Sequence, residues 1–94
     1  MTESKKTREI VLKLIAILDI LAEVDWTPES MLYIFVGSDM QEWEFYKGIL
    51  LIQNWVEIHP NHSVWITTAG RAKQKEIQGM IAGATNIMRK EKES

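Results

Sequence analysis

Apolar residues recur at helical spacing over residues 7–24 and predict a long first helix. A helix on the surface of a monomer needs an apolar stripe only about 100° wide. The stripe here is wider, because positions between the helical repeats are apolar as well. Its apolar members are Ile10, Val11, Leu12, Leu14, Ile15, Ile17, Leu18, Ile20 and Leu21. The pattern therefore predicts the central helix of the domain, or a helix that packs against two elements at once.

Two short helices joined by a tight turn are predicted next. Thr27 is the expected N-cap and Pro28 the expected first residue of one helix, which Gly37 ends. Ser38 and Gln41 have the spacing of a capping box at the start of the other helix. The first of these helices is predicted to be buried through Met31, Leu32, Ile34 and Phe35, and the second carries Met40, Trp43, Tyr46, Ile49 and Leu50 at helical spacing.

The apolar period then changes from about 3.6 residues to 2. Asn54 can end the preceding helix in the left-handed conformation. Residues 55–58 and 63–66 predict two short strands, and residues 59–62 predict the hairpin turn between them. Thr67 or Thr68 is expected to cap a last helix that runs to about Met88. The predicted fold is α+β, mainly α, with three helices, a two-stranded hairpin and a long C-terminal helix.

Composition adds limits to this picture. The chain has 94 residues, which predicts one folded domain over residues 7–88, with a flexible N-terminus at 1–6 and a flexible basic and polar tail at 89–94. The absence of cysteine excludes disulfides and thiolate metal sites. The longest apolar run, residues 10–21, is shorter than the ~20 residues that a membrane span needs. A cytoplasmic protein without membrane contact is expected.

Three local motifs resemble those of a known fold. They are the helix at residues 40–50, the exit Asn54-Trp55-Val56 into the first hairpin strand, and the strand-to-helix corner at residues 66–71, where a threonine cap precedes Gly70. They resemble the winged helix-turn-helix regulators, particularly small forms related to the MarR and PadR families. The resemblance covers roughly residues 27–75. It implies a winged helix-turn-helix fold and a dimeric DNA-binding transcriptional regulator.

In such regulators the second helix of the pair enters the major groove, and the wing contacts phosphates. The resemblance thus implies a set of DNA-binding residues, namely Ser38, Gln41, Phe45, Lys47, His62, Arg71 and Lys73. The charge pattern opposes this function. The net charge is −2, and Asp39, Glu42 and Glu44 lie on the helix that would read DNA, where carboxylates approach phosphates at a Coulombic cost.

A winged-helix module that binds protein instead of DNA is the competing hypothesis. An adaptor, an antirepressor-like effector and an assembly subunit are all of this kind. A core this small cannot easily bury Trp26, Phe45, Leu51 and Trp65, whereas Trp43 and Trp55 are expected to pack inside. Aromatic residues are favoured as interface anchors. The predicted protein-binding face consists of Asp39, Glu42, Glu44, Phe45 and Trp65.

A homodimer is predicted from the first and last helices. Gly79 and Gly83 lie four residues apart on the last helix, where each glycine costs about 1 kcal/mol relative to alanine. Close packing would offset that cost, either against the first helix of the same chain or against a second chain. The predicted dimer interface consists of Leu12, Ile15, Ile20, Ile77, Met80, Ile81, Ala84, Ile87 and Met88.

Catalytic chemistry is not indicated. His59 and His62 lie three residues apart in the hairpin turn, beside Glu57, but the sequence shows no third metal ligand of assured position. No phosphate-binding glycine loop or nucleophile motif occurs in the sequence. Neither enzymatic activity nor a metal or other cofactor is predicted.

Overall fold

The computed structural model describes the backbone of residues 2–93 and the side chains of residues 6–83. Within these ranges the chain is α+β and mainly helical. It contains four helices and one antiparallel sheet of three strands. The elements in chain order are α1 (Thr2–Val24), β1 (Trp26–Pro28), α2 (Glu29–Phe35), α3 (Met40–Ile52), β2 (Val56–Ile58), β3 (Ser63–Ile66) and α4 (Thr68–Glu93). Apart from Lys6, the side chains of the predicted flexible ends, 1–6 and 89–94, lie outside the described residues.

The sheet has the strand order β1-β3-β2, so the predicted hairpin is present and β1 is an additional edge strand. Thr27, which we predicted as a helix cap, is instead a buried strand residue opposite Val64. Pro28 takes the N-cap position of α2 and makes no side-chain capping bond. A proline is tolerated here because β1 lies at the edge of the sheet, where one side of the backbone needs no ladder hydrogen bond.

Helix α1 is central to the core, as its wide apolar stripe predicted. It contacts α3, α4, β1 and β3. Its buried residues belong to a core cluster that also takes side chains from α2, α3, β2 and β3. The cluster comprises Ile17, Leu18, Leu21, Leu32, Trp43, Tyr46, Leu50, Val56 and Val64. Each large side chain in this set stabilises the fold by about 1.5–3 kcal/mol through burial. No helix in the described part of the chain is long and apolar enough to cross a bilayer.

The prediction that α2 is buried is wrong for most of its apolar residues. Only Leu32 is fully buried, whereas Met31, Ile34 and Phe35 are exposed, Ile34 to 66% and Phe35 to 61%. The helix has seven residues, so it turns a single narrow face toward the core. The three exposed residues have the spacing i, i+3 and i+4 and therefore share the opposite face. We call this face the α2 apolar stripe.

The turn between α2 and α3 contains one confirmed prediction and one wrong prediction. Gly37 has a φ of +68°, the left-handed conformation expected after a helix end. The cap of α3, however, is Asp39 and not Ser38, because the Asp39 carboxylate accepts a hydrogen bond of 2.8 Å from the Glu42 amide. Ser38 is buried, and its hydroxyl has no hydrogen-bond partner among the described residues.

The predicted corner between β3 and α4 is confirmed. The Thr67 hydroxyl accepts a hydrogen bond from the Gly70 amide (3.0 Å) and donates one to the Asn54 carbonyl (2.6 Å). Asn54 has the expected left-handed backbone, with a φ of +61°. A side chain at Gly70 would clash with the backbone carbonyl of Trp55. Close approach of the two chain segments therefore requires glycine at this position.

Candidate interaction face of helix α3

Helix α3 divides into an inner and an outer face. Trp43, Tyr46 and Leu50 recur at three- and four-residue steps and are buried against the core. The residues on the opposite side form what we call the α3 outer face: Gln41, Glu44, Phe45, Gly48, Leu51 and Ile52. Its large apolar side chains are exposed, Phe45 to 55%, Leu51 to 44% and Ile52 to 83%. The helix is thus apolar on the side that faces away from the core as well.

Lys47, the only cation in the sequence of α3, is neutralised by its own chain. Its ammonium lies 2.8 Å from Glu29 Oε1 and 2.9 Å from Glu44 Oε1. Trp43 Nε1 donates a further hydrogen bond of 2.7 Å to the same Glu29 oxygen. The hydrogen bonds to Glu29 and then to Glu44 raise the pKa of Lys47. Burial alone would raise the pKa of Glu29, but the hydrogen bonds from Lys47 and Trp43 outweigh it and lower that pKa.

The other cations predicted to bind DNA also face carboxylates. Arg71 pairs with Asp25, and its guanidinium donates a second hydrogen bond, 3.4 Å long, to the Ala22 carbonyl. Lys73 lies 3.1 Å from Glu76. His62 is exposed at the hairpin turn, with Nδ1 3.5 Å from Glu29 Oε2. Each of these residues, which we predicted to contact phosphate, therefore faces a carboxylate of its own chain.

A groove of about 590 Å³ runs between α1 and α3, beside the outer face. Ile10 and Lys13 line it from α1, and Phe45 and Tyr46 line it from α3. Lys13 crosses the groove to Glu42, at 2.9 Å, and this hydrogen bond raises the pKa of Lys13. Burial raises the pKa of Tyr46. Apolar and charged side chains thus line the groove together.

Negative charge is in excess around the α3 outer face. Glu44 belongs to this face, Asp39 and Glu42 border it, and Glu29 lies beside Lys47. Glu42 has one lysine partner, while Glu44 shares Lys47 with Glu29. Four carboxylates thus share two ammonium groups, which leaves two negative charges unmatched. The face combines exposed apolar side chains with an acidic border.

Trp65, the fifth residue of the predicted protein-binding face, belongs to a different surface. It stacks on Trp26, with ring centroids 5.6 Å apart, and on His59, at 5.0 Å. Its Nε1 donates to the Ser63 hydroxyl at 2.9 Å. The structure thus places Trp65 in an aromatic row on the outer side of the sheet, while the other four residues of the predicted set lie on or beside α3.

The residues considered for a metal site do not converge. His59 Nε2 lies 3.6 Å from Glu57, whereas His62 turns toward Glu29. Among the described residues, no group of three or more histidine, aspartate or glutamate side chains is arranged to hold a metal ion.

The predicted dimer interface maps onto an antiparallel pair formed by α1 and α4. Asp19 on α1 accepts hydrogen bonds from Gln74 and Gln78 on α4, at 3.1 and 3.2 Å. Ile20 and Ile77 pack against the core, and Ile15 is half-buried. Leu12, Met80 and Ile81 are exposed. The side chains of Ala84, Ile87 and Met88 lie outside the described residues.

Sequence reasoning missed two parts of the exposed surface, the α2 apolar stripe and Ile52. The spacing of Ile52 from Phe45 and Gly48 was a signal for the outer face of α3, since these positions share one side of a helix. No protein-family model and no curated protein matches this chain. Function must therefore be inferred from the exposed side chains and their charges.

Proposed function

We propose that this chain is a winged-helix module that binds another protein through α3 and the α2 apolar stripe. Support for the winged-helix assignment comes from the order of the elements. Two short helices are followed directly by a hairpin, and the hairpin is joined to a long helix by the Thr67–Gly70 corner. In this assignment α2 and α3 are the helix-turn-helix pair, and β2 and β3 form the wing.

The α3 outer face is the observation that carries the proposal. Phe45, Leu51 and Ile52 are all large, apolar and exposed on the helix that would otherwise read DNA. Exposed apolar patches with polar borders mark interaction sites, and central aromatic side chains supply much of the binding energy at such sites. Covering these apolar side chains with a protein partner is favourable because it removes them from water. The base edges of DNA offer them few apolar contacts.

The ion pairs support protein over DNA as the partner. DNA-binding proteins gain affinity when their cations neutralise phosphates and release counterions. Here Lys47, Arg71 and Lys73 already have carboxylate partners. Binding to phosphate would break these pairs and bring their carboxylates close to the DNA backbone. Both effects reduce the electrostatic free energy that DNA binding would gain.

A DNA-binding regulator is the competing proposal, and titration of the chain with labelled duplex DNA distinguishes the two. We expect no binding at about 50 mM salt, where phosphate contacts are strongest. Tight binding that falls steeply with salt would overturn protein binding as the function. In that case Arg71→Ala and Lys73→Ala should weaken binding to all sequences, and Gln41→Ala should relax sequence preference.

Capture of partners from a cell extract tests the proposed face directly. Phe45→Ala should abolish the capture of whichever protein the wild-type chain retains, because it removes the central aromatic side chain of the outer face. Val24→Ala, a comparably exposed apolar position on α1 outside the proposed dimer interface, is the matched control and should leave capture unchanged. Equal loss in both variants would indicate non-specific hydrophobic binding.

We also propose that the module is a homodimer through α1 and α4. Side chains built at Gly79 and Gly83 would meet no other element among the described residues within 4 Å. The described side chains of α1 therefore do not require these glycines, and we propose a second chain as their neighbour. Light scattering at tens of micromolar should give twice the mass of one chain, and Met80→Glu should halve it. A wild-type monomer would overturn the proposal.

A further inference from the structure

Gly48 lies at the centre of the α3 outer face without any need for a glycine inside this chain. Its φ is not positive, and a side chain built there would meet no other element among the described residues within 4 Å. A glycine within a helix nevertheless costs stability relative to alanine. Gly70 differs, since its small size is required by the Trp55 carbonyl. The missing side chain at Gly48 leaves a gap in the outer face, which we call the notch. The notch therefore fits the close approach of a backbone from outside the chain.

The side chains around the notch have the arrangement of a helix-packing surface. Phe45 lies three residues before Gly48 and Ile52 four residues after it, so the two exposed side chains stand on either side of the notch. A helix that crosses α3 at this point would place its own side chains between them. The distance between two packed helices depends on the side chains at the crossing, and glycine allows the closest approach.

A second copy of α3 does not fit this surface. Antiparallel pairing about Gly48 would place the Glu44 carboxylate of one copy opposite Ile52 of the other, because both lie four residues from the centre. Parallel pairing would bring the two Glu44 carboxylates together, at a Coulombic cost. The acidic border formed by Asp39, Glu42 and Glu44 instead favours cations on the partner.

We propose that the α3 outer face binds a basic amphipathic helix of a different protein, which crosses α3 over Gly48. The apolar stripe of that helix packs on Phe45 and Ile52. Lysine or arginine residues on its flanks meet Asp39, which has no lysine partner among the described residues, and Glu44, which shares Lys47 with Glu29. This inference rests on the proposed protein-binding function and adds the chemistry of the partner to it.

Three synthetic peptides of about 18 residues, or five helical turns, serve as probes. The first carries a leucine stripe flanked by lysines, the second has the same stripe flanked by glutamates, and the third contains the residues of the first in scrambled order. Fluorescence anisotropy with the full chain should show that the lysine peptide binds about tenfold tighter than either of the others. The double variant Asp39→Asn with Glu44→Gln should remove most of that preference over the glutamate peptide, and asparagine keeps the helix cap that Asp39 provides.

Gly48→Ala tests the crossing point. It should weaken binding of the lysine peptide about tenfold, because the added methyl group holds the two helices apart, although it leaves the fold intact. Val24→Ala is the control, since it also introduces alanine at an exposed helix position, and Val24 belongs to neither proposed interface. It should leave peptide binding unchanged. Unchanged binding in Gly48→Ala would overturn the inferred geometry.

The possible failures differ from one another. Equal binding of the lysine and glutamate peptides, lost in Phe45→Ala, would overturn the basic partner and leave protein binding in place. If the scrambled peptide binds as tightly as the lysine peptide, charge alone accounts for binding, and the proposal that the partner is an amphipathic helix is overturned. Absence of any peptide binding overturns the inference, and if duplex DNA binds instead, the proposed function fails with it.

Discussion

The two faces of α3 contain apolar side chains of similar size in very different surroundings. Trp43, Tyr46 and Leu50 are buried against the core, whereas Phe45 and Ile52 are exposed on the other side. A helix that is apolar all round is normally surrounded by protein. The inner face holds the domain together, and the outer face carries surface that this chain alone does not cover. Stability and binding should therefore respond to different residues of the same helix.

Trp43→Ala should give the largest effect. It removes a buried indole and leaves a cavity, which typically costs about 3–5 kcal/mol of unfolding free energy. Phe45→Ala is the matched change on the outer face and should alter stability by about 0.5 kcal/mol or less. Urea denaturation measures both values. Similar losses in the two variants would mean that the faces are not distinct in the folded protein.

Glu29→Ala should destabilise the fold by about 1–3 kcal/mol, because it leaves Trp43 Nε1 and Lys47 without a shared acceptor. Glu44→Ala removes the exposed partner of the same lysine and should cost about 1 kcal/mol at most. Urea denaturation of both variants tests whether the ion pair toward the core matters more than the one on the surface. Equal costs would contradict that order.

The pH dependence of stability should reflect the same contact. Since the pKa of Glu29 is lowered in the folded state, the ionised carboxylate stabilises the fold fully above the unfolded value of about 4.3. This contribution is lost as the pH falls below that value and through the folded-state pKa. Glu29→Gln should therefore show a smaller loss of stability than the wild type between pH 5 and pH 3, measured by thermal unfolding. Parallel curves would exclude this role.

Gly48→Ala should have a small effect of the opposite sign. Alanine at this position should stabilise the fold by about 0.5–1 kcal/mol, because its methyl group meets no other described element and alanine favours the helix. Gly70→Ala should instead be destabilising, since its methyl group would clash with the Trp55 carbonyl. Melting temperatures of the two variants should shift in opposite directions. A loss of stability in Gly48→Ala would show that the notch serves the fold itself.

Local signals in the sequence predicted those features that depend on a few neighbouring residues. Gly37 and Asn54 adopt the left-handed conformation expected after helix ends, and Thr67 caps α4 as expected. Two signals in the sequence were misread. Thr27 and Pro28 have the pattern of a helix start but lie in β1, because pairing with β3 decided their conformation. Ser38 has the spacing of a helix cap, but the adjacent Asp39 accepts that hydrogen bond instead.

The candidate face was only partly predictable. Phe45 was expected at the surface because a small core cannot hold every aromatic side chain, and it is exposed. The α2 apolar stripe was expected inside, since hydrophobicity alone does not show how many sides of a short helix meet the core. The pairing of Lys47 with Glu29 joins residues 18 positions apart, and no spacing rule within one helix connects them.

The sequence by itself determined the helical and strand periods, the turn between α2 and α3 and the corner at Gly70, because backbone preferences and capping act over a few residues. Only the tertiary structure decided which apolar side chains are covered and which charges are paired. Those outcomes depend on the angles at which α1, α2 and α3 meet, and thus on contacts between distant residues. The helix at residues 40–52 could be predicted from sequence, while its acidic, apolar outer face and the neutralised Lys47 became apparent only in the folded chain.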